Sequence, residues 1–164
     1  MKLNCRSILY LPRRYGLFCT ALSVLFTAPQ CYAQDTIMLR PQAGIGELDS
    51  TQYQHAGFRL LFSASDTKKA GLELTQISTS RGDYVAAGIV LEKKEGWLNL
   101  SIGSIGYFGQ GAGMQNLPGL VANIGWEPQK SGLFKPFVTL RNDIIFGNKT
   151  LTGNCLSVGL AVDL

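Results

Sequence analysis

Eight segments of the chain after residue 34 alternate apolar residues with small, polar or charged ones. A period of two is typical of β-strands that present one apolar face. Each segment is bounded by Gly, Asn, Asp, Ser or Pro residues, which favour turns. The predicted strands are Ile37–Glu47, Tyr53–Ala64, Ala70–Ser78, Tyr84–Glu92, Trp97–Phe108, Gly119–Glu127, Phe134–Phe146 and Leu156–Leu164. Their lengths of about 9–13 residues exceed the ~5–6 of soluble strands and suit strands that cross a membrane at a tilt.

The two faces of these strands differ in chemistry. One face carries an almost unbroken series of apolar residues, as in Leu156–Leu164, where every second residue is Leu or Val. The other face carries glycines and nine charged residues: Arg40, Arg59, Glu73, Glu92, Glu127, Lys135, Arg141, Asp143 and Asp163. A membrane barrel turns its apolar face to lipid and its polar face inwards, whereas a soluble barrel does the reverse. Alternation alone does not distinguish the two.

The positions of the aromatic residues favour the membrane barrel. If the strands run alternately up and down, Phe62, Trp126 and Phe134 fall at one end of the apolar face. Phe108 and Phe146 fall at the other end. Two aromatic girdles of this kind mark the interfaces of membrane barrels. We therefore predict an all-β fold, an antiparallel up-and-down transmembrane β-barrel of eight strands formed by residues 34–164.

Residues 1–33 have the pattern of a cleaved signal peptide. Basic residues reach Arg14, an apolar run follows, and small residues end at Ala33, after which we expect cleavage. A membrane anchor is the alternative, but the apolar run is shorter than the ~20 residues that a spanning helix needs. Removal leaves 11 basic residues against 11 acidic ones, a balance that argues against nucleic-acid binding. It also leaves Cys155 as the single cysteine, so no internal disulfide is expected.

The last eight residues resemble the C-terminal signal that outer-membrane barrels present to their assembly machinery. Gly159 is followed by alternating Leu160, Val162 and Leu164. The family usually ends in Phe where this chain has Leu164. The whole exported segment resembles small outer-membrane proteins of the OmpA and OmpX type. That resemblance implies a monomer in contact with outer-membrane lipid and, during insertion, with the barrel-assembly machinery.

Eight strands leave an interior just wide enough for side chains, so we expect no open pore. The four cations and five anions of the polar face predict a salt-bridged plug; a proton or ion relay is the functional alternative. With one histidine, His55, and one cysteine in the exported chain, neither a metal site nor a cofactor is expected. The predicted role is structural or one of surface interaction.

Two other function classes stay open. One is a membrane-embedded lipid-modifying enzyme resembling lipid A deacylases, although His55 is followed by Ala56-Gly57 and lacks their His-x-Ser pair. The other is a soluble periplasmic, lipocalin-like binder of an apolar ligand. The tripeptide Arg81-Gly82-Asp83, which integrins recognise in other proteins, is predicted on a short outward loop, where Gly-Asp is also ordinary turn chemistry.

Overall fold

The computed structural model describes residues 36–111, 113–128 and 132–164, so the predicted signal peptide lies outside the described residues. The eight predicted strands are confirmed, with somewhat different ends. They are β1 (Ile37–Leu48), β2 (Thr51–Ser63), β3 (Lys68–Thr79), β4 (Gly82–Glu95), β5 (Leu98–Gln110), β6 (Leu117–Trp126), β7 (Phe134–Ile145) and β8 (Leu151–Asp163). No helix in these ranges is long and apolar enough to span a membrane.

The strands form a closed barrel in which each pairs antiparallel with its neighbours in sequence. Pairing of β1 with β8 completes the ring, with Ala43 opposite Val158 and Gly46 opposite Cys155. Closure leaves no strand edge with unpaired backbone groups. The predicted eight-stranded up-and-down topology is therefore confirmed.

The register fixes the slope of the strands. A row of directly opposed residues starts at Phe108 in β5, passes through Val85, Gln76, Ala56, Ala43, Val158, Val138 and Trp126, and returns to β5 at Leu98. The row is thus displaced by ten residues in one circuit. This stagger corresponds to a strand tilt of roughly 40°. Each residue along a strand then rises about 2.5 Å along the barrel axis, and each step along the row changes height by about 3 Å.

We call the end at which β1 begins and β8 ends the lower end, and the opposite end the upper end. The first upper turn consists of Asp49 and Ser50, whose φ angles of 46° and 63° are both left-handed. Two such residues give the type I′ turn, which matches the twist of paired strands. Arg81 is exposed in the second upper turn, and Gly82-Asp83 already belong to β4, so the tripeptide lies in a tight hairpin.

Two predicted strand ends were wrong. Strand β8 begins at Leu151 rather than Leu156, and β4 ends at Glu95 rather than Glu92. Thr152-Gly153-Asn154 and Lys93-Lys94-Glu95 are polar enough to be read as turns, yet their backbones continue the ladder. At the ends of a barrel, polar side chains reach water while the backbone remains paired, so polarity alone does not mark the end of a strand.

The apolar face points outwards. Ile89 is 62% exposed on the outer wall, and Leu72, Ile124 and Leu156 are exposed in the same way. The inner face holds buried apolar side chains, among them Leu61, Val90, Ile105 and Val121, together with almost all of the buried charged residues. Over the middle of the strands the wall is therefore mainly apolar outside, and the charged groups there are enclosed.

Candidate functional site

The interior of the barrel is the candidate site, because the buried charged side chains of the described residues converge there. Seven of the nine predicted residues are buried: Arg40, Arg59, Glu73, Glu92, Glu127, Arg141 and Asp143. Lys135 and Asp163 form an ion pair at the lower rim, where both are partly exposed. All nine alternate with outward apolar residues, so the strand period brings them to one face.

Arg141 of β7 is the centre of the interior network. Its Nε and Nη2 atoms donate to the carboxylate of Asp143 at 2.8 and 2.7 Å, and Nη1 donates to Glu73. Tyr53 and Tyr107 donate their hydroxyls to the same Asp143 at 2.9 and 2.6 Å. Asp143 therefore accepts hydrogen bonds from three residues on β2, β5 and β7, which ties distant parts of the wall together.

Glu73 of β3 joins this centre to a second arginine. Arg59 Nε donates to Glu73 at 2.7 Å, and its Nη1 donates to Ser101 at 2.9 Å. Asn123 donates to the same serine at 3.0 Å. The network thus crosses the lumen from β2 to β6.

A separate cluster lies nearer the lower end around Arg40 of β1. Its guanidinium pairs with Glu92 at 2.6 Å and with Glu127 at 3.1 Å, and it stacks 4.1 Å from the centre of the Phe137 ring. Lys94 also pairs with Glu127. An arginine side chain can contact two carboxylates and a ring face at once because its guanidinium group is planar and its charge is delocalised.

Lys94 is a member of the network that the sequence analysis missed. The predicted strand ended at Glu92, but β4 continues through Lys94, whose parity matches that of Glu92. Lys69 of β3 was missed as well: its parity matches that of Glu73, and its Nζ lies 3.5 Å from the sulfur of the buried Met38. With Lys94 and Lys69 the inward cations number six against the five predicted anions, and each anion has at least one cationic partner, as expected for groups that must pair out of water. Tyr53, Tyr107 and Ser101 were also missed, although their inward parity could have indicated them.

His55 has a partner that the sequence did not reveal. Its Nε2 lies 2.7 Å from the Ser157 hydroxyl, and the Cys155 sulfur lies 3.6 Å from that same oxygen. Gly44 leaves room for the ring, since a Cβ at that position would come within 2.7 Å of His55 Nε2. Both His55 and Ser157 are buried, at 3% and 1% exposure, and face the lumen rather than lipid. His55 Nδ1 has no hydrogen-bond partner within the described part of the chain, so an acid to orient a His–Ser pair is missing there.

The chemistry of the interior is therefore that of a paired electrostatic plug. No group of three or more His, Cys, Asp or Glu residues in the described ranges is placed to hold a metal ion. The large side chains of Arg141, Tyr53 and Tyr107 are fully buried in the lumen. Side chains thus occupy the space that a conducting pore would need.

Gly159, Leu160 and Val162 of the predicted assembly signal lie in β8, and Leu164 directly follows the strand. Leu160 and Leu164 are exposed on the outer wall, and Val162 points the same way. Gly159 faces inwards against the ring of Phe137. Recognition of this strand by assembly machinery stays a prediction.

Comparison with known proteins identifies solved structures that share this architecture. No family model matches the chain, and no curated protein does. Neisserial surface protein A (NspA) matches with a TM-score of 0.61 at 11% identity, over 79% of this chain and 99% of that one. The N-terminal β-barrel domain of Pseudomonas aeruginosa OprF matches with a TM-score of 0.57 at 12% identity, over 78% and 98%. A de novo designed transmembrane β-barrel matches with a TM-score of 0.50 at 14% identity, over 80% and 98%. At these identities the likeness establishes architecture alone: the chain has the fold of the eight-stranded transmembrane β-barrels.

Proposed function

We propose that this protein is an integral protein of the bacterial outer membrane, a closed barrel with a structural or surface-interaction role and no conducting pore. One observation carries the proposal. Arg141 is wholly enclosed, at 0% exposure, whereas Ile89 and Val158 are about three-fifths exposed on the outer wall. Water as the surrounding solvent would favour the opposite arrangement. Lipid favours this one.

The outer wall has dimensions that fit a bilayer. Leu98 and Phe108 are ten residues apart on β5, which at the tilt derived above is about 25 Å along the axis, close to the height of the apolar band in such barrels. Phe62, Trp126 and Phe134 are exposed near the lower end, and Phe108 and Phe146 near the upper end. The predicted aromatic girdles therefore have counterparts on the wall at both boundaries.

Export is the second part of the proposal. A signal peptide over residues 1–33 would deliver the chain to the periplasm, and β8 with the following Leu164 would present the assembly signal. The lower end, which holds both ends of the barrel, would then face the periplasm.

Neither alternative class fits the interior as well. A lipocalin-like binder would need an apolar lumen open to a ligand, but Arg40, Arg59 and Arg141 with their carboxylate partners occupy it. A lipid-modifying enzyme would need its nucleophile on the lipid face, and the Ser157 hydroxyl is inside the barrel.

Cell fractionation with gel migration tests the proposal. The full chain should be found in the sarkosyl-insoluble envelope fraction, cut after Ala33, and should migrate faster unheated than boiled. A variant without residues 1–33 should stay in the cytoplasm and serves as the control. Recovery of the wild-type barrel as a detergent-free periplasmic protein would overturn the proposal. Stable channel openings in planar bilayers would overturn its non-conducting part.

A further inference from the structure

The boundary between the apolar and polar parts of the outer wall is not level. On β4–β7, outward residues roughly 21–25 Å above Leu98 along the axis are apolar: Val85, Phe108, Pro118 and Ile144. On β8 and β1–β3, the outward residues roughly 19–23 Å above Leu98 are Asn154, Glu47, Gln54 and Gln76. Gln76 lies directly opposite Val85, where the polar wall meets the apolar one. The highest outward apolar residue on this side, Ile45, lies roughly 17 Å above Leu98, whereas Phe108 on β5 lies roughly 25 Å above it, so the upper boundary of the apolar band is lower on one side of the barrel.

Five amide side chains lie in or beside this lowered polar area, and we call them the amide patch. They are Gln52, Gln54, Gln76, Asn142 and Asn154. Asn142 of β7 lies opposite Asn154 of β8 and is half-buried, while the other four are exposed. Within the described ranges none of the five side chains makes a hydrogen bond. Amides at a depth where the opposite wall meets hydrocarbon need polar partners, and these must come from another molecule.

Two concave surfaces meet at the amide patch. Below it, a groove has the small residues Ala43, Gly44 and Ala56 along its base, with Ile45 and Leu156 as apolar walls. Gln54 and Gln76 form part of the same groove. Above it, a polar recess is lined by Glu47, Asp49, Ser50, Gln52, Thr152 and Asn154. An apolar groove directly beneath a polar recess is complementary to a single amphiphile that stands parallel to the strands.

We propose that this wall binds one outer-leaflet glycolipid. Its acyl chain lies in the groove, and the polar linkage and sugar hydroxyls hydrogen-bond to the amide patch. The recess contains the carboxylates of Glu47 and Asp49, and among the described residues only Asp49 is paired with a cation, Lys149. Because the unpaired carboxylate would repel a phosphate, the recess selects hydroxyls instead. This inference rests on the proposed outer-membrane location, which supplies the lipid.

A second copy of the chain fits the patch less well. A two-fold contact centred on the patch would bring the Glu47 carboxylates of both copies together near the edge of the hydrocarbon. Like charges at low dielectric repel strongly. Sugar hydroxyls, in contrast, donate to carboxylates and both donate to and accept from amides.

Native mass spectrometry of the barrel, exported as the full chain and extracted in mild detergent, tests the inference. The probes are lipid A that carries two core sugars and has been stripped of its phosphates, and phosphatidylethanolamine, added at equal concentration. We expect one lipid A molecule per barrel, in preference to phosphatidylethanolamine. The Gln54→Leu/Gln76→Leu variant should bind lipid A about tenfold more weakly. Ser104→Leu, which removes an outward polar group from β5 on the opposite wall, should bind as the wild type does.

Ala56→Phe gives an independent readout, since it fills the groove and leaves every amide in place. It should also lose lipid A, and it decides the question if the glutamine variant does not fold. Unchanged binding in either folded variant, or equal binding of the two lipids by the wild type, would overturn the inference. A dimeric species that Gln54→Leu/Gln76→Leu abolishes would replace the lipid by a second copy. An inserted, heat-modifiable barrel without lipid preference refutes this inference alone, whereas failure to insert refutes the proposed function.

Discussion

Arg141 and Glu73 form an ion pair at the centre of the barrel, and both side chains are 0% exposed. Glu73 also pairs with Arg59, so one carboxylate on β3 contacts two guanidinium groups, from β2 and β7. The pair joins strands that are not neighbours in the sheet. It therefore adds a connection across the lumen that the backbone ladder does not provide.

Glu73→Gln should destabilise the barrel strongly. The substitution removes the negative charge and leaves two enclosed guanidinium groups with Asp143 as their remaining nearby carboxylate. We expect a loss of about 3–5 kcal/mol in the free energy of unfolding, measured by denaturant titration in lipid vesicles. Glu95→Gln breaks the exposed ion pair with Lys93 and should cost less than about 1 kcal/mol. Equal effects of the two substitutions would show that the interior pair is not shielded from water.

Ile89→Arg tests whether the outer wall faces lipid. Ile89 lies near mid-height and is 62% exposed, so in lipid the charge should cost about 2–4 kcal/mol of unfolding free energy. Ile37→Arg, at the lower end of the same wall, should cost only about 0–1 kcal/mol. Denaturant titration in vesicles compares the two variants. A soluble barrel would tolerate both changes equally, because each side chain would remain at a water-facing surface.

The fold was predictable from the sequence because one periodicity determines most of it. Alternation assigned Arg40, Glu73 and Arg141 to one face, and the structure places them there. The contacts between them were not predictable, because they depend on the stagger of the closed sheet. His55 and Ser157 are 102 residues apart, and they meet because Gly44 of β1 lies opposite His55 of β2 on one side and Ser157 of β8 on the other. Lys94 was missed because a run of charged residues has the same composition in a turn and in the water-exposed end of a strand.

Ser50→Gly should stabilise the barrel. Ser50 has a φ angle of 63°, which costs a residue with a Cβ atom more than it costs glycine. With Asp49 before it, the new glycine would also complete the Asp-Gly pair that type I′ turns prefer. We expect a gain of about 0.5–1 kcal/mol in the free energy of unfolding, after allowance for the more flexible unfolded chain. Ser80→Gly is the matched control in the second upper turn, where Ser80 has no positive φ, and it should be neutral or destabilising. A gain at Ser80 as large as that at Ser50 would contradict the turn geometry.

Cys155 offers a direct test of the register that closes the barrel. It is the only cysteine after residue 33, it is 1% exposed, and it lies opposite Gly46 in β1. A polar maleimide should therefore leave the thiol of the folded, exported barrel unmodified and label it after denaturation, as mass spectrometry would show. Asn154→Cys in a Cys155→Ser background moves the thiol by one residue to the outer wall near the upper end, where labelling of the folded barrel in detergent, freed of bound lipid, should be rapid. A slip of one residue between β1 and β8 would turn every side chain of β8 to the other face of the sheet. Rapid labelling of Cys155 together with protection of a cysteine at position 154 would therefore mean that the two strands pair one residue out of the register described above.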